Sequence, residues 1–533
     1  MSTTVAESPA HVRSGSLRLL APALLGLACL LPGLLSTLAR VVDPFFYRNA
    51  AFLAAELSSP VLHDRDIAGT SYRLMDHIGY DSLLGAVARV TGIDPGQLMF
   101  LAVGAAMVPL LYYALARTLL RSRALAAMLA LYAAYDPTMG LTQYSTHNYA
   151  WMHVLFLAAA LVYGEILVRG RTVRRVLWLF ALFLTSFVVN WTVPVWLILL
   201  VGLGALLVWC RDRAAREGML SLAAAFLVLY FGYSQVFYRD ILGALERATA
   251  LEAVPSLLQE VGTILGWGHA VAGPENFQVP PTGSAVWDWA RLLRTLVLAL
   301  GTALPAACLL WEAWRRRRWS DLLAGEALWA WAMLGAGIGA ALAYTAYGHV
   351  SVRLLVFMLP VVGMVLWQAA GLPRRYALGF GALLVALAVA QFAAAIGSLW
   401  PTAASRDEGL LARGAEYVQR TGDGRVLSDL GTLGIYLLED GRRGESFLPC
   451  YYSAPRYAAI IGYSGPTEQG EGLQGCDVLV INLAAADRPT ASIGWRYYEP
   501  LAPYMSRIDA NPRLQRVYDD GVTVVYRISR GAR

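Results

Sequence analysis

The string LRLLAPALLGLACLLPGLLSTLA, residues 17–39, followed after Arg40 by VVDPFFYR, residues 41–48, decides the reading of this chain. The first string is almost wholly apolar and long enough to cross a bilayer as a helix. It is too long for a signal-peptide core, and no small-residue cleavage site follows it, so it reads as a retained span. The second string opens a polar segment, Val41 to Pro95, that ends at a new apolar run, Gln97 to Ala116. Between the two runs sit Asp43, Glu56, Asp64, Asp66, Asp76, Asp81 and Asp94, interleaved with Arg48, His63, Arg65, Arg73 and His77. Carboxylates held just above a membrane can act as bases, or bind a metal, for a substrate that arrives in the lipid.

Composition agrees with a polytopic membrane protein. The 533 residues are 57% hydrophobic and 15% charged, against about 25% charged in soluble domains. Mean hydropathy is +0.50. The net charge of +6 comes from arginines placed between apolar runs, and no lysine occurs, so the charge is no sign of nucleic-acid binding. Eleven spans are expected, near 17–39, 96–116, 123–141, 148–168, 174–190, 192–210, 218–238, 290–312, 326–346, 353–371 and 376–399. Asn190, Trp191 and Pro194 divide the fifth from the sixth. Alternation from a cytoplasmic N-terminus then puts every dense arginine cluster on one side, as membrane insertion favours: 117–123, 169–175, 211–216, 315–318 and 374–375. The acidic loop 41–95, the segment 239–289 and everything after Trp400 fall on the other side, outside. The chain is thus expected as a multi-pass protein of the cell (inner) membrane, with its last part extracytoplasmic.

The tail, 401–533, changes character. It is charged and mixes helical with strand-like patterns, enough for one soluble extracytoplasmic α/β domain after a membrane part covering 1–400. Glu408 to Arg420 has helical spacing, while Arg425–Leu427, Asp477–Asn482 and Val522–Ile528 read as strands. Cys450 and Cys476 are its only cysteines. In an oxidising compartment they can form a disulfide; otherwise they are two buried thiols.

Four constellations carry the chemistry. Asp43-Pro44 directly follows the first span, where it reads either as a helix start, Asp as cap and Pro at the first helical position, or as a base at headgroup level. Asp64 and Asp66 form an Asp-x-Asp pair that suits a hard divalent cation, Mg or Mn, or the orientation of an acceptor; otherwise the pair is a solvated loop. Tyr344, Tyr347, His349 and Arg353 cluster at the start of the tenth span. There the Arg353 fork either grips a phosphate or snorkels to the headgroups. His147 within 136–151, and His269 after Gly266-Trp267-Gly268, add substrate or headgroup contacts on the same side.

The order of these features resembles the membrane-embedded GT-C superfamily of glycosyltransferases, such as protein O-mannosyltransferases, aminoarabinose transferases and oligosaccharyltransferase catalytic subunits. Asp43-Pro44-Phe45-Phe46-Tyr47-Arg48 is similar to the Asp-Pro-aromatic run after that family's first span. Ala86 to Arg117, His349 to Pro360 and the ending Arg516-Val517-Tyr518-Asp519-Asp520-Gly521 look like its later landmarks. The chain departs from the family in lacking a Trp-Trp-Asp motif in the tail and an Asp-Glu pair after the first span, where residue 44 is Pro44. The resemblance implies a polytopic helical fold and inverting transfer of a sugar from a polyprenyl-phosphate carrier to an extracytoplasmic glycan, lipid or protein. It implies Asp43 as base, with Asp64 and Asp66 as second choice or as metal ligands. Arg353, His349, Tyr347, Arg48, His147 and His269 then face the substrate or its phosphate. A transporter or lipid-linked-sugar flippase, and an inactive scaffold with a sensing tail, are the other readings of so many spans.

Overall fold

The computed structural model describes residues 22–35, 78–93, 103–136, 148–170, 172–189, 192–208, 213–237, 276–277, 285–317, 322–323, 325–343, 348–403, 408–421, 424–429, 432–433, 448–450, 452–463, 471–487, 490–492 and 496–529. Each of the eleven apolar stretches contains a helix. We number the helices in chain order: α1 (Pro22–Leu35), α2 (Ile78–Thr91, in the acidic loop), α3 (Val103–Leu119), α4 (Arg123–Tyr135), α5 (Asn148–Arg169) and α6 (Val173–Val189). Next come α7 (Thr192–Leu207), α8 (Arg213–Phe237), α9 (Ala285–Arg316), α10 (Glu326–Ala343), α11 (Gly348–Ala369) and α12 (Arg374–Ala403).

Among the described residues three segments are long and apolar enough to cross a membrane, Trp151–Arg169, Trp289–Arg316 and Arg374–Ala394; others, such as Arg123–Tyr135 and Val193–Leu207, are apolar but shorter. The expected span 123–141 is cut back to Tyr135. Asp136 takes φ −66° and ψ 112° as the helix cap because Pro137 follows it, and the residue before a proline is driven out of the helical region.

The bundle is a chain of neighbours. α3 packs on α4 and α5, α4 on α12, α12 on α9, α9 on α11, α11 on α10, α10 on α7 and α7 on α8, with α6 against α5. α9 shows why the bundle belongs in lipid. Leu293, Leu296, Leu300, Leu304 and Trp311 are exposed along one stripe, whereas Ala290, Arg294, Leu298 and Leu309 are buried on the other. So long an apolar stripe is unstable in water. In lipid the helices gain by close contact instead, and small residues set the distance. Gly363 of α11 faces the backbone of α9 so closely that a Cβ on it would lie 2.7 Å from the carbonyl oxygen of Gly301. Gly301 in turn leaves room for the Phe380 ring of α12. Two tyrosines lock the bundle through backbone acceptors: Tyr112 Oη donates to Phe357 O at 2.6 Å and Tyr163 Oη to Leu200 O at 2.9 Å.

The arginine-rich ends meet as the alternation requires. Arg121 N donates to Gln368 Oε1 at 2.9 Å, Gln368 Nε2 donates to Leu119 O at 3.2 Å, and the Arg374 guanidinium donates to Ser122 Oγ at 2.9 Å. The α3–α4 and α11–α12 turns therefore lie at one end of the bundle.

The tail forms a five-stranded mixed sheet. Its strands are β2 (Arg425–Leu427), β3 (Leu448–Cys450), β4 (Val478–Asn482), β7 (Leu514–Asp519) and β8 (Thr523–Ile528), in the order β3-β2-β4-β8-β7. β2 runs parallel to β3 and β4; β8 is antiparallel to β4 and β7. The wholly buried β4, with its continuous apolar run, is the central strand. Helices α13 (Glu408–Thr421), α14 (Ala454–Ile460) and α15 (Met505–Asp509) accompany it. Cys450 and Cys476 are disulfide-bonded across a sequence separation of 26, so the two-thiol alternative falls away.

A second, three-stranded sheet joins the tail to the membrane part. β6 (Arg496–Tyr498) pairs with β5 (Thr490–Ser492) and also with β1 (Asn276–Phe277), which belongs to the segment between α8 and α9. This pairing, Asn276 with Tyr497 and Phe277 with Arg496, brings residues 276–277 and the tail together.

Candidate functional site

Asp43, Arg48, Asp64, Asp66, His147, His269, Tyr344 and Tyr347 lie outside the described residues. Among the described residues no group of three His, Cys, Asp or Glu converges on a metal position. His349 and Arg353 fall in the first two turns of α11, where backbone placement alone is described.

What the structure does bring together is a charged pair that sequence reading did not single out. Arg294 of α9 and Asp136 at the end of α4 form a hydrogen-bonded ion pair, their side chains 2% and 0% exposed. The hydroxyl of Tyr132, one turn back on α4, interacts with both charges. Arg291, one turn before Arg294, is buried as well. The local sequence explains the geometry. Pro137 stops α4 at Tyr135, and the extended Asp136 delivers a carboxylate at the helix end. α9 spaces Arg291 and Arg294 three apart, one turn, on the face opposite its exposed leucines.

The depth of the pair follows from the layer beneath it. Tyr132, Leu298, Val356, Leu384 and Ala388 form one apolar cluster contributed by α4, α9, α11 and α12. One turn further from the arginine-rich ends, each helix turns polar. Tyr132 is followed by Asp136, Leu298 is preceded by Arg294, and Ala388 is followed by the buried Gln391. On α11, position 353 lies three residues before Val356, on the same face and at the same level. Beside this layer Phe392 meets Tyr135 edge-on with ring centroids 5.3 Å apart. α1 packs against the same end of α4 through Cys29, Ala130 and Ala134.

Arg294 is five residues inside Trp289, where the long apolar segment of α9 begins. That places it about 7–8 Å below that end at helical rise, against about 15 Å for the bilayer midplane. The layer therefore lies toward the Trp289 end of that segment and away from its middle. Among the described residues it holds Arg291, Arg294 and Asp136 above apolar walls. The signal in the sequence was ionisable and amide residues inside apolar runs: Arg291, Arg294 and Gln391, together with Asp136-Pro137 at a span end.

No family model and no curated protein matches the chain. Among solved structures it is similar to the arabinofuranosyltransferase AftD from Mycobacteria, at 14% identity and TM-score 0.46, covering 95% of this chain and 40% of that one. It is also similar to the apo oligosaccharyltransferase of Archaeoglobus fulgidus, at 12% identity and TM-score 0.45, covering 95% of this chain and 74% of that one. The complex of the A. fulgidus oligosaccharyltransferase AglB with an inhibitory peptide and a dolichol-phosphate is similar at 12% identity and TM-score 0.45, covering 86% of this chain and 69% of that one. The chain thus spans less than half the length of the arabinofuranosyltransferase it resembles.

Proposed function

We propose that the protein is an integral-membrane glycosyltransferase that moves a sugar from a polyprenyl-phosphate carrier to an acceptor outside the cytoplasm. The observation that carries this reading is the polar layer: Asp136, Arg291 and Arg294 buried on an apolar plug, toward the Trp289 end of the apolar segment of α9, level with position 353. A lipid-linked phosphate approaches from the bilayer and needs cationic partners at this depth. The carboxylate-rich segment 41–95 supplies the base, with Asp43 first and Asp64 or Asp66 second. In the step envisaged, the base takes the proton of the acceptor group. The acceptor attacks the anomeric carbon from the side opposite the phosphate, and the bond from that carbon to the phosphate oxygen breaks. Arg353, with Arg291 and Arg294 as the other cations, offsets the negative charge that stays on the departing polyprenyl phosphate. The residues 64 and 66 fit a Mg or Mn ion by donor type alone.

The buried Asp136–Arg294 pair is also the one feature that favours the alternative, a transporter or flippase, since charges inside a bundle mark transport paths. Its position toward the Trp289 end of the apolar segment of α9, away from the middle where transporters place their sites, weighs against that reading.

The test uses full-length protein in proteoliposomes with a polyprenyl-phosphate sugar. Asp43→Asn keeps size and capping ability and should lower transfer by roughly 10²–10⁴-fold with donor binding intact. Arg353→Ala should weaken donor binding more than Arg353→Lys, which keeps the charge and loses the fork. Full transfer by Asp43→Asn, Asp64→Asn and Asp66→Asn alike, with sugar-lipid flux across sealed vesicles, would establish the transporter instead.

A further inference from the structure

Gln391 stands on α12 among alanines, leucines and valines, where an apolar residue would be expected. It is fully buried, and neither Oε1 nor Nε2 has a hydrogen-bond partner among the described residues. An amide in such a place is costly, because both its donor and its acceptor forgo the hydrogen bonds they make in water. Along α12 it stands one turn beyond an apolar cluster, on the side of the polar layer. α12 packs there on α4 and α9. Ala388, one turn earlier, closes the apolar cluster with Tyr132 and Leu298, and the adjacent Phe392 touches Tyr135. Asp136 and Arg294 occupy the same level on α4 and α9. The Tyr132 hydroxyl between these levels is likewise fully buried, and it interacts with Asp136 and Arg294.

The geometry points to Gln391 as the residue that reads the sugar of the donor, its carboxamide bridging hydroxyl groups on the sugar ring with the Tyr132 hydroxyl beside it. This rests on the transferase reading and adds to it a division of labour within the layer. An ionised phosphate offers acceptors alone. It would satisfy Nε2 and leave Oε1 unpaired, and the guanidiniums nearby are its better partners. A hydroxyl donates and accepts at once, so a pair of ring hydroxyls satisfies both ends of the carboxamide. The charged side of the layer is thus suited to the phosphate and its neutral side to the sugar. The same argument explains why the amide persists unpaired: discrimination is strong when a missing substrate hydroxyl leaves a buried polar group unsatisfied.

The test measures binding, so it does not depend on turnover. Full-length protein in nanodiscs is titrated with a polyprenyl-phosphate sugar and with the same polyprenyl phosphate lacking the sugar. Gln391→Met keeps the volume and removes both hydrogen-bonding groups. It should weaken binding of the sugar lipid roughly 10-fold or more, leave binding of the sugar-free lipid unchanged, and hold or raise the melting temperature of the lipid-free protein. Gln391→Leu, slightly smaller and likewise unable to hydrogen-bond, should lose the same selectivity; it serves if the Met variant does not fold. Equal losses on both lipids, no loss on either, or a lower melting temperature with no change in selectivity would overturn the inference and mark Gln391 as structural. A parent protein that binds both lipids equally well sinks the inference alone, and a parent that binds neither sinks the transferase reading beneath it.

Discussion

Arg294 and Asp136 illustrate how much a single buried pair constrains. Both side chains have left water almost completely, 2% and 0% exposed, so each charge depends on partners inside the bundle. Pairs of this kind often contribute little net stability relative to an apolar replacement of both, whereas removing one partner strands a charge and costs about 3–5 kcal/mol. The expected pattern is therefore strongly non-additive. Arg294→Leu or Asp136→Leu alone should lower the melting temperature sharply, and the double variant should recover most of the loss. Thermal unfolding of the three variants in one detergent checks this through the coupling energy. If the pair serves the donor phosphate, the recovered double variant stays poor in transfer, because the folded layer then lacks the Arg294 guanidinium as a hydrogen-bond donor, although its net charge is unchanged. A double variant that regains both stability and transfer would make the pair purely architectural.

At the level of elements, the close crossing of α9 and α11 holds this layer in place. Gly363 approaches the Gly301 carbonyl so nearly that a Cβ meets backbone and not a side chain that could swing aside. Gly363→Ala should push the two helices apart, at a cost of about 1–3 kcal/mol for forced overpacking, and shift Arg294 relative to position 353. Gly371→Ala, where a positive φ of 64° is strained but no neighbour lies within 4 Å, provides the comparison, because it destabilises without touching the crossing. The expected result is loss of donor binding in Gly363→Ala beyond what Gly371→Ala causes at matched melting temperature. These elements also show what could be read from sequence. Apolar length gave the position of each helix, and the strands at 425–427, 478–482 and 523–528 followed from short β-rich runs between turn residues. The expected span 123–141 runs past the end of α4, because it takes in Met139 and Leu141 beyond the break that Pro137 makes. Arg294, Gln391 and Asp136 escaped notice for a related reason. Their partners lie 158 residues apart in the case of the ion pair, and no local spacing carries a contact between helices so distant in the chain.

For the whole molecule the sidedness of the polypeptide is the property that every functional statement leans on. Two independent structural links bear on it. Hydrogen bonds among Leu119, Arg121, Ser122, Gln368 and Arg374 gather two arginine-rich turns at one end. Pairing of Asn276–Phe277 with Arg496–Tyr498 gathers the segment between α8 and α9 with the tail. Between these markers α9, α10, α11 and α12 run in alternation, so an odd number of crossings must separate the α11–α12 turn from the tail. The tendency of arginine clusters to stay on the cytoplasmic side predicts that the tail, with its Cys450–Cys476 disulfide, lies outside, where a disulfide persists. Single cysteines in a chain whose Cys29, Cys210 and Cys308 are replaced by serine test the arrangement. Gln515→Cys, exposed on β7, and Ser59→Cys, in the acidic segment, should react with an impermeant maleimide in intact cells. Arg174→Cys, exposed at the start of α6, should react after the membrane is opened and not before. Ser122 is a poor site for such a probe, since it is buried and caps α4 while accepting from Arg374. External reaction at Arg174 together with protection at Gln515 would invert the molecule, place the polar layer at the cytoplasmic face, and point to nucleotide sugars rather than a lipid carrier as the accessible donors.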